Sequence, residues 1–309
     1  MANSFNYAEK YSPDLLEIMT QGSLTSPFIT SNVAWVGANK FHFTQMGTSG
    51  FQNHSRNGGW NRGSVTQTDV VYTITHDRDV EFLVDKADVD ETNLTASIEK
   101  IYNTFYKTHA VPEADALFFE KVSQAAITAK LYTATATADY TVENVYGKLK
   151  AILKNNKKLK LYRSNGSLIM FVSTDIMDLL EMSKDFTRKI EMTQVAEGGQ
   201  GIETRVTSID GIPLMEVIDD NRFYTAFNYD NGFVAKKGAF KLNVCVASLE
   251  TVKRVEKINS LYYFAPGAHT QGDGYLVQIR TLSDTVIIPN GLDGKVDSVF
   301  VDYDTTAVA

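Results

Sequence analysis

The stretch from Asp69 to Ala129 changes its side-chain period once, and that change constrains the fold more than any other feature of the chain. Val71, Thr73 and Thr75 alternate with Tyr72, Ile74 and His76, and Val80, Phe82 and Val84 continue the two-residue period of a strand. After Asp85 the period becomes helical. Leu94, Ile98, Ile101 and Phe105 fall on one stripe, and Phe118, Val122, Ala125 and Ala129 carry it onward. Asp88 and Glu91 have the spacing of a capping box, with Asp in place of the usual Ser or Thr. Pro112 suits the first turn of a continuing helix, with Glu113 and Asp115 beside it. The pattern predicts a long strand feeding a long helix that bends or breaks near His109 to Pro112. It is equally the pattern of a strand and two ordinary core helices.

At 309 residues the chain can bury roughly three quarters of its unfolded surface, in one large domain or two smaller ones. A net charge of −7 argues against a general nucleic-acid-binding surface. The single cysteine, Cys245, lies in the apolar run LNVCVA, so an internal disulfide is excluded and a buried strand position is expected. No apolar run approaches the roughly 20 residues of a membrane span. The start, MANSFNYAEKY, lacks a signal-peptide pattern, and a cytosolic beginning is expected.

Residues 1 to 34 mix Ser, Thr, Pro and Gly with isolated large apolar residues, and read as an arm that docks Leu15, Leu16, Phe28 and Ile29 on another surface. Residues 38 to 46 read as a strand. The segment from Gly47 to Gln67 is rich in Gly, Asn and Ser and has no period, so the strands on either side make it an extended, projecting hairpin. It carries Phe51, Trp60, Arg56 and Arg62. Aromatic and basic residues in one loop fit nucleic acid or sugar, and they equally fit anchors on a neighbouring protein. The acidic chain and the length of the hairpin favour the protein neighbour.

Farther on, KLYTATATADYT is a connector between substructures, and Val142, Val145, Leu149 and Ile152 mark a helix with a basic end, LKNNKKLK, read as solvated. Leu168 to Val172 is a buried strand followed by a helix through Met182, without a glycine-rich phosphate loop between them. Gly198 to Gly201 reads as a hairpin tip, and Asp210-Gly211 as a tight turn between strands ending at Ile209 and starting at Ile212. Leu242 to Ala247 is a strand, Ser248 to Ile258 a basic amphipathic helix, and Leu261 to Phe264 a strand. YLVQIRTL, DTVIIP and VDSVFVDY follow as three more strands, and DTTAVA as a loose tail. The five histidines lack metal-ligand spacing, and no hydrolase, Walker, zincin or paired-cysteine motif occurs. His76-Asp77-Arg78-Asp79 reads as an ion-paired surface turn. No catalytic residue, cofactor or metal is expected.

Several stretches together carry a resemblance: HDRDVEFLVDKADVDETN, VPEADALFFEKV, FVSTDIMDLLEMSKDFTRKI, IPLMEVIDDNRF and YFAPGAHTQGDGYLVQIRTLSDTVIIPN. In content and order they resemble the major capsid proteins of tailed bacteriophages of Gram-positive hosts, over roughly residues 35 to 303. The resemblance implies an α+β, HK97-type capsid fold. Its parts would be an N-terminal arm at 1–34, an extended loop at 35–86, and a peripheral domain with the spine helix at 87–135 plus 260–303. An axial domain at 136–259 and a tail at 304–309 would complete it. It implies a virion protein, assembled in the host cytoplasm, whose partners are itself in hexamers and pentamers, a separate scaffolding protein, a portal, and packaged double-stranded DNA held without sequence-specific contacts. No membrane partner is implied. Heterologous contacts, one patch meeting a different one, close such rings, and Phe51, Arg56, Trp60 and Arg62 would be inter-subunit contacts. Lys40 is the only lysine between residues 11 and 85 and sits at the hairpin base, so lysine crosslinking through the loop is not expected. The chain begins close to the family core, so a cleaved N-terminal scaffold is not expected either. An encapsulin-like compartment shell and a soluble carbohydrate-binding module using the Trp60 loop are the alternatives.

Overall fold

A computed structural model of the chain describes residues 21–30, 33–37, 39–54, 56, 58, 60–87, 98–183, 191–193, 202–204, 207–290 and 294–308. Its central sheet has six strands, in the order Thr207–Ile209, Ile212–Val217, Leu168–Ser173, Phe240–Ser248, Val299–Ala307 and Tyr132–Ala134. The inner strands are continuously apolar because helices cover both faces. Leu168, Met170, Val172, Val244 and Val246 point to one face, against the helices Val145–Asn155, Leu159–Ser164 and Thr174–Met182. Ile169, Phe171, Cys245 and Ala247 point to the other, against Phe118, Phe119, Val122 and Ala126 of the helix Val111–Thr128. Cys245 is fully enclosed there, and burial holds its thiol well above the usual range, so it packs as a small apolar group. The Asp210-Gly211 turn has φ of 50° and 81°, the left-handed pair that a two-residue hairpin requires.

The spine is one helix. Ile98–Phe105 runs through a π-helical turn, Tyr106–Ala110, directly into Val111–Thr128. Pro112 supplies no N–H and its ring crowds the preceding turn. The chain accommodates it by widening that turn, and the Val111 N–H bonds to the Tyr106 carbonyl, five residues back. The expected irregularity near His109 is therefore a wide turn within a continuous helix, and the two-helix alternative is set aside. Asp88, Glu91 and Leu94 lie outside the described residues.

A second sheet of four strands, ordered Ile29–Thr30, Val252–Phe264, Gly274–Ile287 and His76–Asp85, packs beside the spine helix. A three-stranded ribbon projects next to it: Ala34–Trp35, Lys40–Thr48 and Val65–Thr73, with Lys40 opposite Thr73 and Thr48 opposite Val65.

Four expectations change. Ser248 to Ile258 is not a helix; its basic residues lie on the strand Val252–Phe264, paired along its whole length with Gly274–Ile287. YLVQIRTL and DTVIIP are one strand, not two, and DTTAVA is not a loose tail, because Val299–Ala307 stays paired with Phe240–Ser248 to its end. Residues 259 and 260 both lie on the strand Val252–Phe264, and Val299–Ala307 belongs to the six-stranded sheet. His76 to Asp79 is the start of a strand that leaves the 35–86 segment for the four-stranded sheet, not a surface turn. The GGQG tip lies outside the described residues, although the strands flanking it, Glu191–Thr193 and Ile202–Thr204, do pair.

Candidate assembly surface

The ribbon is anchored only at its base. Phe41 is fully buried there, stacked on Tyr72 at 5.6 Å between ring centres and edge-on to Trp35 and Phe43. Ile74, Val255, Leu282 and Val286 close this small core. Lys257 sets its ammonium 4.4 Å from the centre of the Trp35 ring. Gln45 donates to the Pro289 carbonyl at 2.6 Å, which fixes the ribbon against the sheet.

Beyond Gln45 the ribbon has no core. Ser49 and Ser64 close the strand ends, with the Ser49 N–H donating to the Ser64 carbonyl and the Ser64 N–H to the Ser49 hydroxyl, each at 2.9 Å. Asn61 donates to the Asn53 carbonyl at 2.8 Å. Trp60 lies near the His54 ring, 6.3 Å between centres, and remains 93% exposed. Phe51 is completely exposed. Arg56 and Arg62 are exposed, and no carboxylate among the described residues lies within ion-pair distance of either. The tip loop thus carries all four expected contact residues, and none of them packs within the subunit. Large exposed aromatics and arginines are residue types enriched at protein interfaces.

Sequence reasoning missed a second feature, the clamp that seats residues 21 to 25. Asp115 was read as a first-turn helix acid, but its side chain is fully buried. One oxygen accepts the Thr25 hydroxyl at 2.6 Å, and the other accepts the Leu24 N–H at 3.0 Å and Arg222 Nη1 at 3.0 Å. Arg222, itself buried, also reaches Asp219 and the carbonyls of Gln21 and Gly22. Gln21 donates to the Glu216 carbonyl at 2.7 Å and accepts the Ile218 N–H at 2.9 Å. Leu24 and Phe28 then enter the core against Phe118. The signal was legible: Asp115 is three residues before Phe118, an acid on the apolar stripe, and buried acids are paired.

Two further links tie the units together. Glu113 of the spine helix accepts from Arg78 Nε at 2.7 Å and lies 3.0 Å from His76 Nε2. Burial would raise its pKa, but the hydrogen bond from His76 and the charge of Arg78 outweigh it, and the carboxyl is held below its usual value. Asp302 accepts from Thr133, from Thr135 at 2.9 Å, from Tyr140 Oη at 2.6 Å and from Asn243 at 3.2 Å, pinning the connector 130–141 to the sheet. Burial, then the Asp302 charge, pushes the Tyr140 phenol far above its usual range.

Among the described residues no group of three or more His, Cys, Asp or Glu is placed to hold a metal, and no helix is long and apolar enough to cross a membrane. No family model and no curated protein matches the chain. Solved structures do. The mature capsid of bacteriophage PhiM1 superposes with a TM-score of 0.63 at 14% identity, covering 98% of this chain and 93% of that one. The capsid of cyanophage P-SCSP1u gives 0.63 at 12% identity, covering 97% and 93%. A chain of Mycobacterium phage Cain gives 0.60 at 14%, covering 97% and 96%. The chain therefore has the α+β fold of phage capsid proteins.

Proposed function

We propose that this chain is the major capsid protein of a tailed phage, a structural protein without catalysis. It assembles as hexamers and pentamers into the icosahedral head shell around double-stranded DNA. The observation that carries the reading is the likeness to phage capsid chains over nearly the full length of both. A ribbon whose tip has nothing of its own to pack on supports it. In this reading residues 1–34 are the arm, the ribbon is the extended loop, the spine helix and four-stranded sheet form the peripheral domain, and the six-stranded sheet forms the axial domain.

The arm clamp and the tip loop then divide the work. The clamp fixes where the arm leaves the subunit, and the tip loop carries Phe51, Arg56, Trp60 and Arg62 onto a neighbour. In this reading the phage belongs to the Gram-positive-host branch, which the stretches quoted for the resemblance support. A scaffolding protein, a portal and host-cytoplasmic assembly complete the pathway. An acidic shell protein suits DNA filling and release, because a lumen that gripped phosphate would hinder both. Sedimentation and electron microscopy of the purified protein test the reading: rings or closed shells are expected. Monomer alone at every concentration and salt, with scaffold supplied, overturns it, and shells filled with protein cargo instead of DNA assign a cellular compartment.

A further inference from the structure

Between Glu143 and Asp175 the sequence holds seven lysines and arginines and no acid. Without those seven, the net charge of −7 becomes −14. The fold brings most of them to the end of the six-stranded sheet where the strand Leu168–Ser173 starts, while Lys148 lies apart, over the Tyr140 ring and donating to the Asp139 carbonyl. Lys150, Lys154, Lys160 and Arg163 line a cleft of about 380 Å³ between the helices Val145–Asn155 and Leu159–Ser164. One carboxylate, Asp210, reaches into it, 3.4 Å from Lys150 and 3.8 Å from Arg163. Lys154, Lys157 and Lys160 are exposed, and no carboxylate among the described residues lies within ion-pair distance of them. Beside them Leu161 is 56% exposed.

The opposite end of the same sheet is acidic. The strand Leu168–Ser173 starts at the basic end and runs into Asp175 and Asp178, both exposed. Its parallel neighbour Ile212–Val217 starts next to Asp210 and runs into Asp219 and Asp220. Lys241 neutralises part of this group through Asp175 and Asp220. The two ends are roughly 20 Å apart, the length of a six-residue strand.

We propose that the basic cleft of one subunit docks the acidic end of the same unit, around Asp175 and Asp178, in a neighbouring copy. This deepens the shell reading above and rests on it. Two unlike patches on one chain make the head-to-tail contact that closes rings. Three exposed lysines with no carboxylate partner among the described residues, next to an exposed leucine, fit an acidic protein surface with an apolar spot. They fit a DNA backbone less well, since DNA offers Leu161 nothing and the acidic remainder of the chain repels it.

The test is charge reversal on the full chain. Lys154→Glu, Lys157→Glu and Lys160→Glu together should leave the melting of unassembled protein unchanged and reduce ring or shell yield at least tenfold at physiological salt. Adding Asp175→Lys and Asp178→Lys to the same chain restores complementarity and should recover most of the yield. Normal assembly of the triple variant, or no recovery in the combined variant, overturns the proposal. So does loss of binding to a short double-stranded DNA by the triple variant with assembly intact, which would assign the cleft to nucleic acid. Wild-type protein that forms no particles fails the shell reading itself, and the two failures are thereby told apart.

Discussion

Arg222 Nη1 lies 3.0 Å from Asp115 Oδ2, with both side chains buried and the backbone of residues 21 to 25 wrapped around the pair. Neither charge has a route to water, so each depends on the other and on the arm's N–H and carbonyl groups. Seating the arm and satisfying the ion pair are therefore one event.

Arg222→Met should cost about 3–5 kcal/mol, because it strands a buried carboxylate. Asp115→Asn with Arg222→Met should cost less than the two single changes summed. Chemical denaturation of the four proteins in a double-mutant cycle measures this. A single-variant loss below about 1 kcal/mol contradicts the clamp, since that is the scale of an exposed pair.

How much of this was legible in the sequence depended on whether the signal was local. The continuity of the spine was left open between one helix and two, whereas the strand Leu168–Ser173, the Asp210-Gly211 turn and an irregularity of the helix near Pro112 were readable, because period, φ preference and proline chemistry act over a few residues. The strand Val252–Phe264 was not. Val252 and Val255 fall three apart, and Lys253, Arg254 and Lys257 resemble a helix's polar face, yet pairing along the strand Gly274–Ile287 overrides that pattern. A register shift between Glu256 and Ile258 blurs the two-residue alternation further. In the ribbon, the exposure of Phe51, Arg56, Trp60 and Arg62 was legible because they fall in a long aperiodic loop; their place at a subunit contact is part of the proposal. The partner of Asp115 was invisible, since Arg222 lies 107 residues away in the sequence.

Acid should loosen the link between the spine helix and the strand His76–Asp85. The folded Glu113 carboxyl has a lowered pKa against a usual value of 4.5. Its stabilisation is fully present above that unfolded value and is lost as pH falls through the lower folded one. Melting temperature should therefore fall more steeply below about pH 4.5 in the wild type than in Glu113→Gln. Parallel curves for the two proteins across that range would remove Glu113 from the acid response.

Gly274 starts the strand Gly274–Ile287, where it faces the last residues of the strand His76–Asp85. A Cβ there would lie 2.5 Å from the Val84 carbonyl oxygen and 3.3 Å from the Asp85 Cα, both backbone atoms that cannot step aside. Gly274→Ala should cost about 1–3 kcal/mol, the usual range for overpacking, and should open the pairing near Val84 first. Hydrogen exchange at the amides of residues 82 to 85 reads this directly. Unchanged protection there, with unchanged stability, would show that the sheet end yields at no cost.

The ribbon tip makes the sharpest prediction. Ordering each of its residues costs roughly 1–2 kcal/mol. Among the described residues the return is three short hydrogen bonds and one loose ring contact. Phe51 and Trp60 bury almost nothing. A neighbour must supply the rest, and each aromatic seated at an interface can contribute on the order of 2 kcal/mol. The subunit core ends at Phe41, Tyr72 and Ile74, well short of the tip. Replacing residues 48 to 66 with a short Gly-Ser turn should therefore leave the melting of unassembled protein within about 0.5 kcal/mol of wild type, the usual range for surface changes. Closed shells should be absent or fragile, and Phe51→Ser with Trp60→Ser should reproduce most of that defect. Particle counts by electron microscopy beside melting curves of the unassembled protein decide it. Intact shells from the deletion would remove the tip from assembly, and a collapsed melting transition would place it in the subunit core.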